Sequence, residues 1–162
     1  MDGTQNPKTQ RSARRAASVV GTRPADEVSG VTTSEGYGPP LAQRSPCGGD
    51  QPRPWRRDAP AGQFPAEAFR LSAHTSYDQS EAVFGCHGAD PRQPRVCAGF
   101  LLRGAGDNLA VRGWLTRGSL SVAVLPDGVE LYDSYREMAL ANGVDRDDPA
   151  LAPCRGDGVD FR

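Results

Sequence analysis

Two short apolar runs, Ala82-Val83-Phe84-Gly85-Cys86 and Val96-Cys97-Ala98-Gly99-Phe100-Leu101-Leu102, flank the turn-rich segment from His87 to Arg95. Runs this short do not separate strand from buried helix by periodicity. The segment between them carries Gly88, Pro91 and Pro94 and reads as a loop. If the two runs lie side by side, Cys86 and Cys97 face each other across the loop ends.

Downstream, Asp107 or Asn108 is placed to cap a helix through Leu109, Val111, Arg112 and Leu115, with Gly118 as its stop. Leu120, Val122 and Val124 alternate with small residues, as a strand does, before Pro126-Asp127-Gly128. A helix is expected from about Val129 to Asn142. Leu131, Tyr135 and Met138 share one of its faces, and Asn142-Gly143 ends it. Asp145 to Arg162 reads as an acidic loop.

Upstream, Pro65 to Leu71 reads as a short helix, with Pro65 at the first helical position and Glu67 at the positive end of the dipole. Ser76 and Gln79 have the spacing of a capping box for a second short turn. Ser45 to Pro60 is loop, dense in Pro, Gly and Arg. The expected class is α+β: a small compact domain of short helices, a few short strands and long loops.

The domain does not fill the chain of 162 residues. Of eleven aromatics only Tyr37 precedes Trp55. Leu, Ile, Val and Phe make up about 17% of the whole but about 21% of residues 55–162, either side of the roughly 20% typical of a folded chain. Residues 1–44 are therefore expected to form a disordered arm, because so little apolar surface does not offset an ordering cost of roughly 1–2 kcal/mol per residue. Residues 45–162 are expected to form a single Cys/His-containing domain.

Eighteen Arg stand against one Lys, with no Ile, a bias that matches GC-rich codon usage. The net charge is −1, and the isoelectric point near 6.1 is far from the value above roughly 9 usual for a nucleic-acid-binding domain. The longest apolar-leaning run, Leu120 to Leu125, is too short to span a membrane. The basic stretch near the start is followed only by Ala16-Ala17-Ser18-Val19-Val20-Gly21, too short for the apolar core of a secretion signal. A reducing cytoplasmic location is the expectation, with disulfides disfavoured.

Cysteines in such a setting call for a metal test. Cys47 stands in Pro46-Cys47-Gly48-Gly49, where small residues let backbone N–H groups turn toward a sulfur. Cys86 and Cys97 supply two further thiols. A structural zinc takes four ligands, and the fourth is open between His87, Cys154 and Asp50, with His74 more remote. No C-x-x-C pair occurs, and free cysteines often serve as small buried hydrophobes.

Several motifs in order resemble the actinobacterial and phage domain-of-unknown-function family 6283. They are Pro46-Cys47-Gly48-Gly49, Trp55-Arg56-Arg57-Asp58, Phe64-Pro65-Ala66-Glu67, Phe84-Gly85-Cys86-His87 and Cys97-Ala98-Gly99-Phe100. The resemblance covers about residues 45–155. It implies a metal, zinc, held here by Cys47, Cys86, His87 and Cys97. The family's second Cys is replaced by Asp50, and extra residues precede Trp55. The family carries no established activity, so the resemblance implies a site and no reaction.

Three functional readings follow. The first is a non-enzymatic zinc-stabilised module that binds or assists an unidentified macromolecular partner. The second is a metal- or thiol-dependent enzyme, although no zincin or zinc-deaminase motif is present. The third is a nucleic-acid contact in which Arg53, Arg56 and Arg57 grip the backbone and Trp55 stacks on a base. In the competing reading of that cluster, Trp55 packs in the core and its arginines are solvated or paired with Asp58.

Overall fold

The computed structural model describes residues 18–24, 30–35, 41–42, 53–86, 95–120 and 128–155. Its strands are β1 (Ser18–Pro24), β2 (Gly30–Glu35), β3 (Leu41–Ala42), β4 (Val83–Phe84) and β5 (Arg95–Val96). Its α-helices are α1 (Ala66–Ser72), α2 (Leu109–Thr116) and α3 (Tyr135–Ala141). A 3-10 turn, Ala73–Ser76, follows α1, and a π-helical turn, Phe100–Gly104, follows β5. This is an α+β fold of short helices and a few short strands.

β1 and β2 pair antiparallel, and β2 pairs antiparallel with β4 through Thr33 opposite Phe84. Val19, Val20, Val31, Thr32 and Thr33 give these two stretches the β-branched character that suits a pleated surface. Both stretches belong to the segment expected to be an arm, and here they extend the sheet. β3 runs parallel to β5.

The runs around residues 82–86 and 95–97 are neighbours. Gly85 bridges Val96 antiparallel. On either side of that bridge the Cys86 N–H donates to the Arg95 carbonyl at 2.8 Å, and the Cys97 N–H donates to the Phe84 carbonyl at 2.9 Å. Beyond Cys97 the second run turns helical, so one apolar run holds both a strand and a helix. Residues 87–94 lie outside the described residues, as do 121–127, where most of the expected Leu120–Val124 strand falls.

The helix ends follow from their caps. Pro65 is the N-cap of α1 in an extended conformation, one position before the one expected. Asn108 caps α2 by accepting from the Val111 N–H at 3.0 Å. Its amide also donates to the carbonyls of Thr75 and Ala82 at 3.1 and 2.7 Å. One buried side chain thus ties α2 to the 3-10 turn and to the approach to β4. Gly118 and Gly143, at φ of 60° and 87°, supply the left-handed turns after α2 and α3.

Two expectations are corrected. Helix α3 starts at Tyr135 rather than near Val129, because Ser134 caps it and accepts from the Glu137 N–H at 3.1 Å. Residues 130–132 are held extended instead: Arg56 bridges Leu131, the Arg57 N–H donates to the Glu130 carbonyl at 3.0 Å, and the Tyr132 N–H donates to the Trp55 carbonyl at 3.1 Å. Ser76 caps nothing, since the 3-10 turn ends with it and Gln79 takes a φ of 61°.

The core centres on Trp55, 1% exposed. Its ring meets Phe84 and Tyr135 edge to face, with centroids 6.1 and 6.0 Å away, and Phe100 at 6.4 Å. Tyr135 is anchored at its other end by a hydroxyl that bonds Ser72 Oγ at 2.7 Å and donates to the Phe69 carbonyl. Two glycines of the helical segment after Cys97 close on the indole. A methyl added at Gly99 would lie 2.5 Å from Trp55 Cβ, and one at Gly104 would lie 2.4 Å from Cη2 of the ring.

These contacts set the sign of a simple experiment. Helix propensity alone makes Gly→Ala favourable by roughly 1 kcal/mol. Here Gly99→Ala and Gly104→Ala are each expected to destabilise the chain by about 2 kcal/mol or more, through overpacking. Trp55→Phe removes Cη2 and keeps Cβ. It is therefore expected to relieve much of the Gly104→Ala penalty and little of the Gly99→Ala penalty. Urea unfolding of the single and double variants measures both couplings.

A candidate thiol centre beside the buried tryptophan

Cys86 ends the β4 run and Cys97 follows β5. With Gly85 opposite Val96, Cys86 falls opposite Arg95 and Cys97 opposite Phe84. Side chains two apart on a strand share a face, so the two cysteines lie on one face of the pair along a diagonal. Diagonal neighbours have Cα atoms about 7–8 Å apart, within the span that one tetrahedral metal bridges with two thiolates.

Cys97 is electrostatically the more informative. Burial pushes its thiol up to about 11, opposed first by a hydrogen bond from the Phe100 N–H. Cys86 pushes it further up, while the Gly99 N–H and the charge of Arg53 favour the thiolate. The sulfur therefore sits where backbone donors and a cation are ready for negative charge, yet the two thiols disfavour ionising together. No disulfide joins Cys86 to Cys97.

The other sequence candidates fall into two groups. Cys47, Asp50 and His87 lie outside the described residues. Cys154 is buried elsewhere, bridged to Tyr77 and with its sulfur 3.8 Å from the Ala73 carbonyl. His74 belongs to the 3-10 turn after α1. Among the described residues no group of three or more Cys, His, Asp or Glu side chains is gathered for a metal.

The Arg/Trp cluster takes the form of the competing reading, with Trp55 packed in the core. Trp55 is enclosed by the core and has no ring face free for a base. Arg56 pairs with Asp58, its Nε donating to the carboxylate at 2.7 Å. Arg57 donates to the Leu131 carbonyl at 3.0 Å and pairs with Asp133 and Glu137, with its guanidinium 5.1 Å from the centroid of Tyr132. Its bonds tie the Trp55 loop to the start of α3. Arg53 differs: its Nε is buried and has no hydrogen-bond partner among the described residues.

Sequence reading missed two roles. Asn108 was foreseen as a cap but not as the tie between three segments, because its other acceptors lie 26 and 33 residues away. The burial of the Arg53 Nε, unlike the paired guanidinium groups of Arg56 and Arg57, also has no sequence signal.

The model of the Family of unknown function (DUF6283) matches residues 42–155. No curated protein and no solved structure matches the chain. Among the described residues no helix is long and apolar enough to cross a membrane.

The Arg56 pairing is open to a direct check. The hydrogen bond from Arg56 holds the Asp58 carboxyl below its ordinary value. A depressed carboxylate contributes stability above its unfolded value and loses it as the pH falls through the folded one. Carboxyl NMR titration is expected to give Asp58 a midpoint below that of a free aspartate. In Arg56→Gln the midpoint should return upward, and an unchanged midpoint would mean that Arg56 is not its partner.

Proposed function

The chain belongs to the DUF6283 family, and from that premise we propose that it is a small zinc-stabilised module acting as a binding or accessory protein rather than as an enzyme. The observation that carries this reading is the shared face of Cys86 and Cys97, with backbone N–H groups directed at the Cys97 sulfur. Cys47 and His87 are the proposed remaining ligands, which gives a three-sulfur, one-nitrogen set of the kind found in structural zinc sites.

The two described thiols suit a thiophilic metal, and with Cys47 and His87 added the proposed site would be closed. Four protein ligands leave no position for a reactive water, so the metal would supply stability rather than Lewis-acid chemistry. The reading assumes a reducing compartment, the cytoplasm, where thiols stay available as ligands. A module of this kind presents its remaining surface to a macromolecular partner whose identity is open.

Metal analysis of protein purified without added zinc tests the proposal. About one zinc per chain is expected in the wild type, lost in both Cys86→Ser and Cys97→Ser. Cys154→Ser should keep it. Chelation at neutral pH is expected to lower the melting temperature by at least about 10 °C, since metal held far above its Kd adds several kcal/mol to folding. A metal-free wild type whose melting is indifferent to chelator overturns the reading.

A further inference from the structure

Helix α2 has two unlike faces. Val111 and Trp114, both 3% exposed, pack into the core. On the other side stand Leu109 and Leu115, 48% and 44% exposed, the large apolar side chains left open among the described residues. At about 3.6 residues per turn they lie roughly 120° apart around the axis, with Arg112 midway between them. The helix carries no acidic residue. Arg56, Arg57, Arg70, Arg103 and Arg155 have carboxylate partners, whereas the exposed Arg112 has none among the described residues. Arg117, just past the helix end, folds its guanidinium back over Gly113, where an added methyl would meet it at 3.1 Å. Two cations thus share the outward face with two leucines. The face is fixed at both ends. Asn108 ties the helix start to two neighbouring segments, the Leu109 N–H donates to the Ser80 carbonyl at 2.8 Å, and the Ser119 N–H donates to the Trp114 carbonyl at 2.8 Å. A partner docks on such a face with little ordering of the helix.

We propose that the outward face of α2 is a docking surface for an acidic amphipathic segment of a partner protein, with apolar side chains against Leu109 and Leu115 and carboxylates on Arg112 and Arg117. This rests on the binding-protein reading above and not on the metal. Charge complementarity selects the occupant. Single exposed apolar residues are ordinary on a protein surface, but two on one eight-residue helix, either side of an unpaired guanidinium, suit apolar anchors and carboxylates together. A second copy presenting the same face would bring Arg112 toward Arg112 across a two-fold axis, and like charges oppose that contact. A nucleic-acid backbone would use the arginines and leave the leucines idle. A lipid surface calls for a coherent apolar face, and that of α2 is turned to the core.

The probe is a capped synthetic peptide with Leu at i, i+3 and i+4 spacing and Glu elsewhere along its helix, added to the full chain. Its counterpart carries Lys in place of every Glu. Amide NMR shifts are expected to move along residues 109–117 with the Glu peptide and not with the Lys peptide. Arg112→Glu should weaken binding of the Glu peptide by about 10-fold or more and admit the Lys peptide. If Arg112→Glu does not fold, Arg112→Gln replaces it for the loss of affinity. The double variant Leu109→Ser, Leu115→Ser should bind neither peptide while melting near the wild-type temperature, since both leucines stand outside the core. A Glu peptide that does not bind, or that binds the Arg112 variant equally well, overturns the proposal. So does a face that self-associates, or that takes vesicles of anionic lipid in place of the peptide. A Glu peptide bound away from α2 overturns this surface and leaves the binding-protein reading standing. None of these results bears on zinc content, so the surface and the metal site fail separately.

Discussion

The structure depends on the seating of one indole ring. Trp55 fills the space between the helical segment after Cys97 and the aromatic group formed by Phe84, Phe100 and Tyr135. It fits because Gly99 and Gly104 carry no Cβ where the ring passes. The spacing of these glycines matters as much as their size. They lie five residues apart, at the start and end of a segment that closes with π-type turns. The wider turn brings both toward the ring, a geometry that recurs where helices are shaped around a site.

The same ring sets the loop before α1. The Trp55 carbonyl accepts from Tyr132, and its neighbours Arg56 and Arg57 pair with Leu131 and Glu130 through backbone contacts. This short ladder holds residues 130–132 extended and delays α3 until Ser134 caps it. Arg57 then spans the junction, bonding the Leu131 carbonyl and the carboxylates at the start of α3. These surface pairs are individually weak, since each is partly exposed to solvent. Their role is to orient a loop that the buried tryptophan already anchors.

What the sequence made legible follows from distance along the chain. The Asn108 cap and the Gly118 and Gly143 stops were readable because they act on residues three or four positions away, whereas the Ser134 cap was hidden by the apolar spacing of Leu131 before it. The helix at Pro65–Leu71 and the one after Asn108 were legible for the same reason. The excess length given to α3 came from Leu131. Its burial fits a helical face by spacing but arises from pairing with Arg56, a partner 75 positions away. The Cys86–Cys97 juxtaposition is half legible: the sequence offers the two runs as neighbours only conditionally, and the register that sets the two cysteines on a diagonal has no local signal. Arg53, Arg56 and Arg57 look alike in sequence. Only the packing separates them: the Arg53 Nε is buried, while Arg56 and Arg57 reach carboxylates.

The shortness of the elements explains why a thiol centre at this place matters to the whole. No α-helix among the described residues exceeds eight residues, and isolated helices below about 12–15 residues are marginal in water. β4 and β5 have two residues each, too few for a strand pair to hold itself. Their order comes from tertiary contacts, and the contacts converge on Gly85–Val96, the helical segment after Cys97, and Trp55. A link between Cys86 and Cys97 would clamp the first of these and fix the start of the second. It would also hold Gly99 against the indole, because the N–H groups directed at the Cys97 sulfur belong to Gly99 and Phe100. The residues that would hold a metal and those that build the core are thus joined through one short turn, and a change in either is transmitted to the other.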